Sequence, residues 1–112
     1  MSVFSEKGLL GELEQLVLLA ALRLGEEAYA VSIRDQIAHR SGIDLSRSSV
    51  YVTLDRLDRK GYVTSRFGDP TPQRGGKAKR LFRVTAAGHR ALAAAERAVA
   101  SLRQAAPAGH TR

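Results

Sequence analysis

From residue 9 to residue 24 the chain reads LLGELEQLVLLAALRL, and its apolar positions recur at helical spacing. Leu13, Leu16, Val17, Ala20 and Leu24 share one face. Leu18, Leu19 and Leu22 point the other way, with Glu12, Glu14, Gln15 and Arg23 between the stripes. A surface helix needs a single apolar stripe. Two stripes imply burial on both sides, which a small domain does not offer, so the spare stripe predicts a partner helix from another subunit. The first helix is expected from Gly8 or Leu9 to Leu24, with Gly25 as its stop. A second is expected over Ala28 to Arg40, with Ala30, Ile33 and Ile37 inward and Gly42 ending it. A short turn, IDLS, tucks Ile43 and Leu45 inside. A third helix follows from the N-cap Ser46, with Val50, Leu54 and Leu57 as its core stripe and Gly61 as its end. Two helices joined by a short turn, the second one basic, outline a helix-turn-helix.

The period then changes. YVTSRF (62–67) and RLFRV (80–84) are rich in β-branched and aromatic residues and partly alternate, so they predict a hairpin. Its loop, GDPTPQRGGKAKR (68–80), supplies Gly75 and Gly76 for the reversal and two prolines for stiffness. A last helix is expected from the N-cap Thr85 to about Gln104, followed by a frayed tail. In it Leu92, Ala95, Val99 and Leu102 have coiled-coil spacing. Beside the spare stripe of the first helix, with Leu18 and Leu22, that seam reads as a dimer contact. The predicted fold class is therefore mainly α with a small β-hairpin: a winged helix-turn-helix plus a C-terminal dimerisation helix. Residues 1–84 would form the DNA-binding domain, 85–104 the dimerisation helix and 105–112 a flexible tail.

The chain has 112 residues, one ordinary domain's worth, and its core must be aliphatic because Trp is absent and other aromatics are few. There is no Cys, so neither a disulfide framework nor a thiolate metal site can form. The acidic start, with Glu6, Glu12 and Glu14, is unlike a signal peptide, and the run Leu16 to Leu22 is far short of the ~20 residues that span a bilayer. A cytoplasmic location is expected. The net charge of +7 is lopsided: residues 1–45 carry four Lys/Arg against seven Asp/Glu, residues 46–90 eleven against three. Positive charge concentrated on the third helix and hairpin points to a polyanionic partner.

Several chemistries fail on spacing. A phosphate-cradling P-loop needs a hydroxyl after its Gly-Lys and a helix beyond. Gly76-Lys77 is followed by Ala78 and then by a strand, and Thr71 stands where the first glycine belongs. His39, His89 and His110 lie too far apart to pair as metal ligands, so no metal or cofactor is expected. Ser48 and Ser49 have no nearby His to activate them, and Asp55 reads as the i,i+4 partner of Arg59, so no enzyme is expected.

Nucleic-acid binding fits better. With Val50, Leu54 and Leu57 inward, Ser48, Val52, Asp55 and Arg59 turn outward, and Ser49, Tyr51 and Arg56 flank them. An outward Val in the first turns suits a thymine methyl in the major groove. Arg47 and Ser48 would reach base edges or phosphates, while Tyr51 would bond a phosphate or pack on the wing. Arg74, Lys77, Lys79 and Arg80 on the hairpin would meet the DNA backbone, giving affinity and orientation more than sequence choice. The alternatives are an RNA-binding protein, which predicts stacking aromatics on an exposed sheet, and a winged-helix protein-interaction adaptor.

The stretches LLGELEQLVLLAAL (9–22), YAVSIRDQI (29–37), SSVYVTLDRLDRKGYV (48–63) and PTPQRGGKAKRLFRVTAAGHRAL (70–92) together resemble the PadR family of bacterial transcriptional regulators, in its short branch with one C-terminal helix. The resemblance covers most of the chain. Its more specific parts are the V-Y-x-x-L-x-x-L-x-x-x-G run, the basic wing and T-x-x-G. It implies a homodimer held by the last helix with help from the first, and binding to inverted-repeat DNA operators, usually for repression. Helix 46–60 would be the recognition helix and Arg74 to Arg80 the wing. Ala30, after Tyr29, stands where the family commonly has Gly. Some relatives hold flat aromatic ligands on aromatic platforms near the dimer centre. This chain has no aromatic residue after Phe82, so the resemblance assigns it no effector.

Overall fold

The computed structural model describes residues 9–68 and 78–104. The expected turn glycines 75 and 76, the wing cations Arg74 and Lys77 and the tail 105–112 lie outside the described residues.

Helix α1 (Glu12–Leu24) begins at Gly11, whose backbone N–H donates to Glu14 Oε1 at 2.8 Å. This is the back-reaching half of a capping box, and it starts the helix three or four residues later than the leucine pattern suggested. A 3₁₀ turn (Gly25–Glu27) leads to α2 (Ala30–Ser41), where Ser32 Oγ accepts from the N-cap amide of Tyr29. Gly42 closes α2 at φ 75°, a left-handed conformation that favours glycine. Helix α3 (Arg47–Arg59) is capped by Ser46, whose Oγ accepts from Ser49 N–H at 3.0 Å. Strands β1 (Val63–Phe67) and β2 (Arg80–Val84) pair antiparallel, with Val63 opposite Val84 and Ser65 opposite Phe82. Phe82 N–H reaches beyond the hairpin to the Ala28 carbonyl, so the segment before α2 covers the free edge of β2. The last element is α4 (Ala86–Gln104).

Helices α1, α2 and α3 enclose one core containing Val17, Leu18, Ile33, Val50, Leu54 and Leu57, and the hairpin closes it with Val63 and Phe82. Thr85 ties α4 down. Its Oγ1 accepts from Gly88 N–H and donates to the Gly61 carbonyl, joining the helix start to the end of α3. Gly88 packs directly on the Tyr62 carbonyl, and a Cβ at that position would run into it. The T-x-x-G pattern is thus one joint: a cap at Thr85 and a close backbone approach three residues on.

Three sequence expectations shift. The inward face of α1 is turned relative to the leucine count: Glu14, Val17, Leu18, Ala20 and Ala21 are buried, while Leu19 and Leu22 are exposed. Leu18, placed on the partner-facing stripe by its spacing, belongs to the chain's own core. Periodicity assigns a face by apolar density, and the dense leucines of this helix made two faces nearly equivalent. Ile43, expected inside, is exposed, and the 43–46 turn leaves only Leu45 against the core.

Candidate nucleic-acid interface

The outer surface of α3 is set by its own burial pattern. Val50, Thr53, Leu54 and Leu57 point into the core. Arg47, Ser48, Ser49, Tyr51, Val52, Arg56 and Arg59 are therefore all exposed on one side of the helix. Val52 is 54% exposed, an apolar side chain held out at a position where folding has no use for it. It lies with Ser48, Ser49, Arg56 and the α1 residue Leu13 around a shallow depression. The N-cap hydroxyl of Ser46 also donates to Ser49 Oγ, so Ser49 is partly committed to the cap. Arg59 pairs with Asp55 at 2.8 Å, as the spacing predicted. The free N-terminal amides of α3 and the Arg47 side chain bring positive potential to the same end of the helix.

The loop end of β2 departs from the sequence picture. Lys79 and Arg80 were expected to face a nucleic-acid backbone. Lys79 Nζ stands 4.2 Å from the ring centroid of Tyr29, the N-cap residue of α2. The Arg80 guanidinium lies 4.9 Å from the ring of Phe82 and 5.9 Å from that of Tyr51, pairs with Asp58 at 3.5 Å and donates to Ser65 Oγ. Both cations anchor the hairpin to the helical body, and Tyr51 serves as a packing surface for Arg80 while keeping its exposed edge. Along the strands, Arg66 and Arg83 both reach Glu26, which bridges the two strands from the 3₁₀ turn.

The residues read as a dimer seam divide. Leu18, Leu92 and Ala95 are buried in the chain's own core. Leu22, Val99 and Leu102 are exposed, the last two by 50% and 80%. The seam therefore runs off the end of the domain: its first half docks α4 on its own chain, and its second half carries apolar side chains past it.

Sequence reasoning missed Glu14. It is 5% exposed, and its Oε2 accepts from Lys60 Nζ at 2.8 Å across 46 residues of chain. Burial alone would raise the Glu14 pKa. The hydrogen bonds from Lys60 and the Gly11 amide, with the charges of Lys60 and Arg56, outweigh this and hold it below its ordinary value of 4.5. The signal was present as the spacing Leu10, Glu14, Val17, Ala21, a helical stripe that includes a carboxylate. Thr53 was missed too; it is buried because its Oγ1 donates to the Ser49 carbonyl one turn back.

No group of three or more metal-ligating side chains is found among the described residues, and no helix there is long and apolar enough to cross a membrane. Compared with curated protein sequences, the chain has no match. Among solved structures, a PadR family regulator from Clostridium difficile R20291 superposes with a TM-score of 0.69 at 19% identity, over 84% of this chain and 93% of that one. A transcriptional regulator from Clostridium thermocellum does so at 0.71 and 17%, over 93% and 92%. A PadR family regulator from Eggerthella lenta DSM 2243 shares 27% identity at a TM-score of 0.65, over 83% and 80%. The likenesses under 25% identity show a shared winged-helix fold. The PadR-like transcriptional regulator family model matches residues 18–94, from α1 through the hairpin into α4, and on that match this chain belongs to the PadR-like family of DNA-binding transcriptional regulators.

Proposed function

We propose that the protein is a homodimeric repressor that acts in the cytoplasm on an inverted-repeat operator. Helix α3 of each subunit enters a major groove, with the two grooves on one face of the duplex about 34 Å apart. Ser48 and Val52 face base edges there. Arg47 and Arg56 hold the flanking phosphates, and Arg74 and Lys77 on the wing extend those contacts. The observation that carries this reading is the exposed Val52 among Ser48, Ser49 and Arg56 on the outer face of α3. A thymine methyl is the natural partner for an apolar side chain displayed among hydrogen-bonding groups and cations.

The hairpin supports duplex DNA over single-stranded RNA. Stacking of unpaired bases calls for a platform of rings. Of the hairpin aromatics, Phe82 and the adjacent Tyr62 are buried, leaving Phe67 at 71% exposure as the single exposed ring among the described hairpin residues. Dimerisation is supported by Leu22, Val99 and Leu102, which the monomer leaves in solvent.

In-vitro selection of duplex DNA from a random library with the purified protein tests the proposal. Enrichment of an inverted repeat with half-sites one helical turn apart is expected. Weak binding that enriches no sequence and disappears with salt would refute it.

A further inference from the structure

We infer that Glu14 and Lys60 form a positioning device that fixes the recognition helix relative to α1, the helix that contributes Leu22 to the proposed dimer surface. The inference rests on the proposed roles of α3 and α1. Both residues lie outside the face offered to DNA. Glu14 sits in the first turn of α1, and Lys60 caps the C-terminal end of α3. One carboxylate, at 2.8 Å to each partner, both closes the start of α1 through Gly11 and holds the far end of α3 through Lys60.

Apolar contacts along the buried face of α3, from Val50 to Leu57, hold it to the core, but the energy of burying them is non-directional. An ion pair with its carboxylate buried and its lysine half-buried has the opposite character. Its net stabilisation over a hydrophobic pair of similar size is small, and its best-attested use is to specify register. Glu14 also feels the charge of Arg56, one turn before Lys60 and on the exposed side of α3, so the pair is coupled to the surface that would meet phosphates. Leu19 and Leu22, five and eight residues beyond Glu14, are the exposed apolar residues of the same rigid helix. The recognition helix is thereby referenced to the dimer surface and not merely to the core. An inverted repeat requires that reference, because two recognition helices must match a fixed half-site spacing.

The test compares wild type with Glu14→Met/Lys60→Met, which replaces the pair with flexible apolar chains, and with Lys60→Arg, which keeps the charge. Residual dipolar couplings of backbone amides report the angle between α1 and α3. Selection and titration on the selected operator and on random duplex report DNA reading. The double variant is expected to stay folded with a changed α1–α3 angle. It should lose roughly 10- to 100-fold of its preference for operator over random DNA, the scale of a misplaced base contact, with random-duplex affinity little altered. Lys60→Arg is expected to retain both the angle and the preference. An unchanged angle in the double variant overturns the inference, and so does a changed angle with unchanged preference. If wild type itself selects no operator, the DNA reading has failed separately, and the couplings alone decide whether the pair sets the angle.

Discussion

The division of the seam on α4 gives the sharpest quantitative test. Leu102 is 80% exposed in the isolated chain, so a partner, if it docks there as proposed, has nearly all of that apolar surface to cover. Truncation to Ala removes three carbons, and about 0.8 kcal/mol per buried CH₂ makes roughly 2 kcal/mol per subunit after scaling for that exposure. A two-fold interface counts the loss twice, so Leu102→Ala should weaken the dimer by about 4 kcal/mol at most, near a thousandfold in Kd. Val99 is already half covered. Its truncation removes two carbons, giving roughly 0.8 kcal/mol per subunit and about tenfold in Kd. Leu92 lies two turns earlier on the same seam but within its own core. Leu92→Ala should instead destabilise the fold of each subunit by roughly 2–5 kcal/mol.

Sedimentation equilibrium across a dilution series measures the first two variants, and chemical denaturation measures the third. The expected ranking in dimer weakening is Leu102→Ala well beyond Val99→Ala. Dimer affinities unchanged in both variants would refute the assignment of this half of the seam to a partner. Denaturation of Leu92→Ala with no loss of subunit stability would refute the division itself.

Gly88→Ala should destabilise the fold by about 1–3 kcal/mol in chemical denaturation, because the new methyl meets the Tyr62 carbonyl and the joint between α3 and α4 must open. Arg80→Ala should lower the denaturation midpoint as well as DNA affinity, since Arg80 is bonded to Asp58 and Ser65; an effect on DNA alone would show that its anchoring role is wrong. Filter binding from 50 to 200 mM salt should show affinity falling by roughly 10³–10⁵ if six to ten phosphates are held, and a flat response would exclude that footprint. Ser48→Ala and Val52→Ala should change which sequence is selected, so equal losses on operator and random DNA would count against base contact by either residue. Glu14 has a lowered pKa in the folded state, so its stabilising contribution is full above its unfolded pKa and fades as pH falls through the folded value. Acid titration of stability should therefore be shallower in Glu14→Gln than in wild type through and below the ordinary carboxylate range.

Much of this architecture was legible because it rests on local chemistry. Ser46, Gly42, Gly61 and Thr85 mark helix ends through hydrogen bonds or left-handed backbone that involve only near neighbours, and each stands where the sequence placed it. The outward face of α3 was legible for a related reason: Val50, Leu54 and Leu57 are its only large apolar core residues, so their stripe left no second choice. In α1 the same method misplaced Leu18. Leucines stand on both faces, and the buried stripe includes Glu14, whose burial depends on a lysine 46 residues away.

Lys79 and Arg80 show where reading by charge stops. In sequence they form one basic cluster with Arg74 and Lys77, and all four invite the same phosphate assignment. Within the fold, Lys79 finds Tyr29 and Arg80 finds Asp58, Tyr51 and Phe82, residues contributed by the N-cap of α2, by α3 and by β2. A cation already held by a ring or a carboxylate must give up that contact before it can hold a phosphate, so its contribution to DNA affinity is the difference between the two. The same side chain in open solvent would contribute its whole phosphate contact. Net charge therefore overstates the affinity available from the loop end of β2. What Lys79 and Arg80 supply there is a fixed mounting of β2 on the helical body.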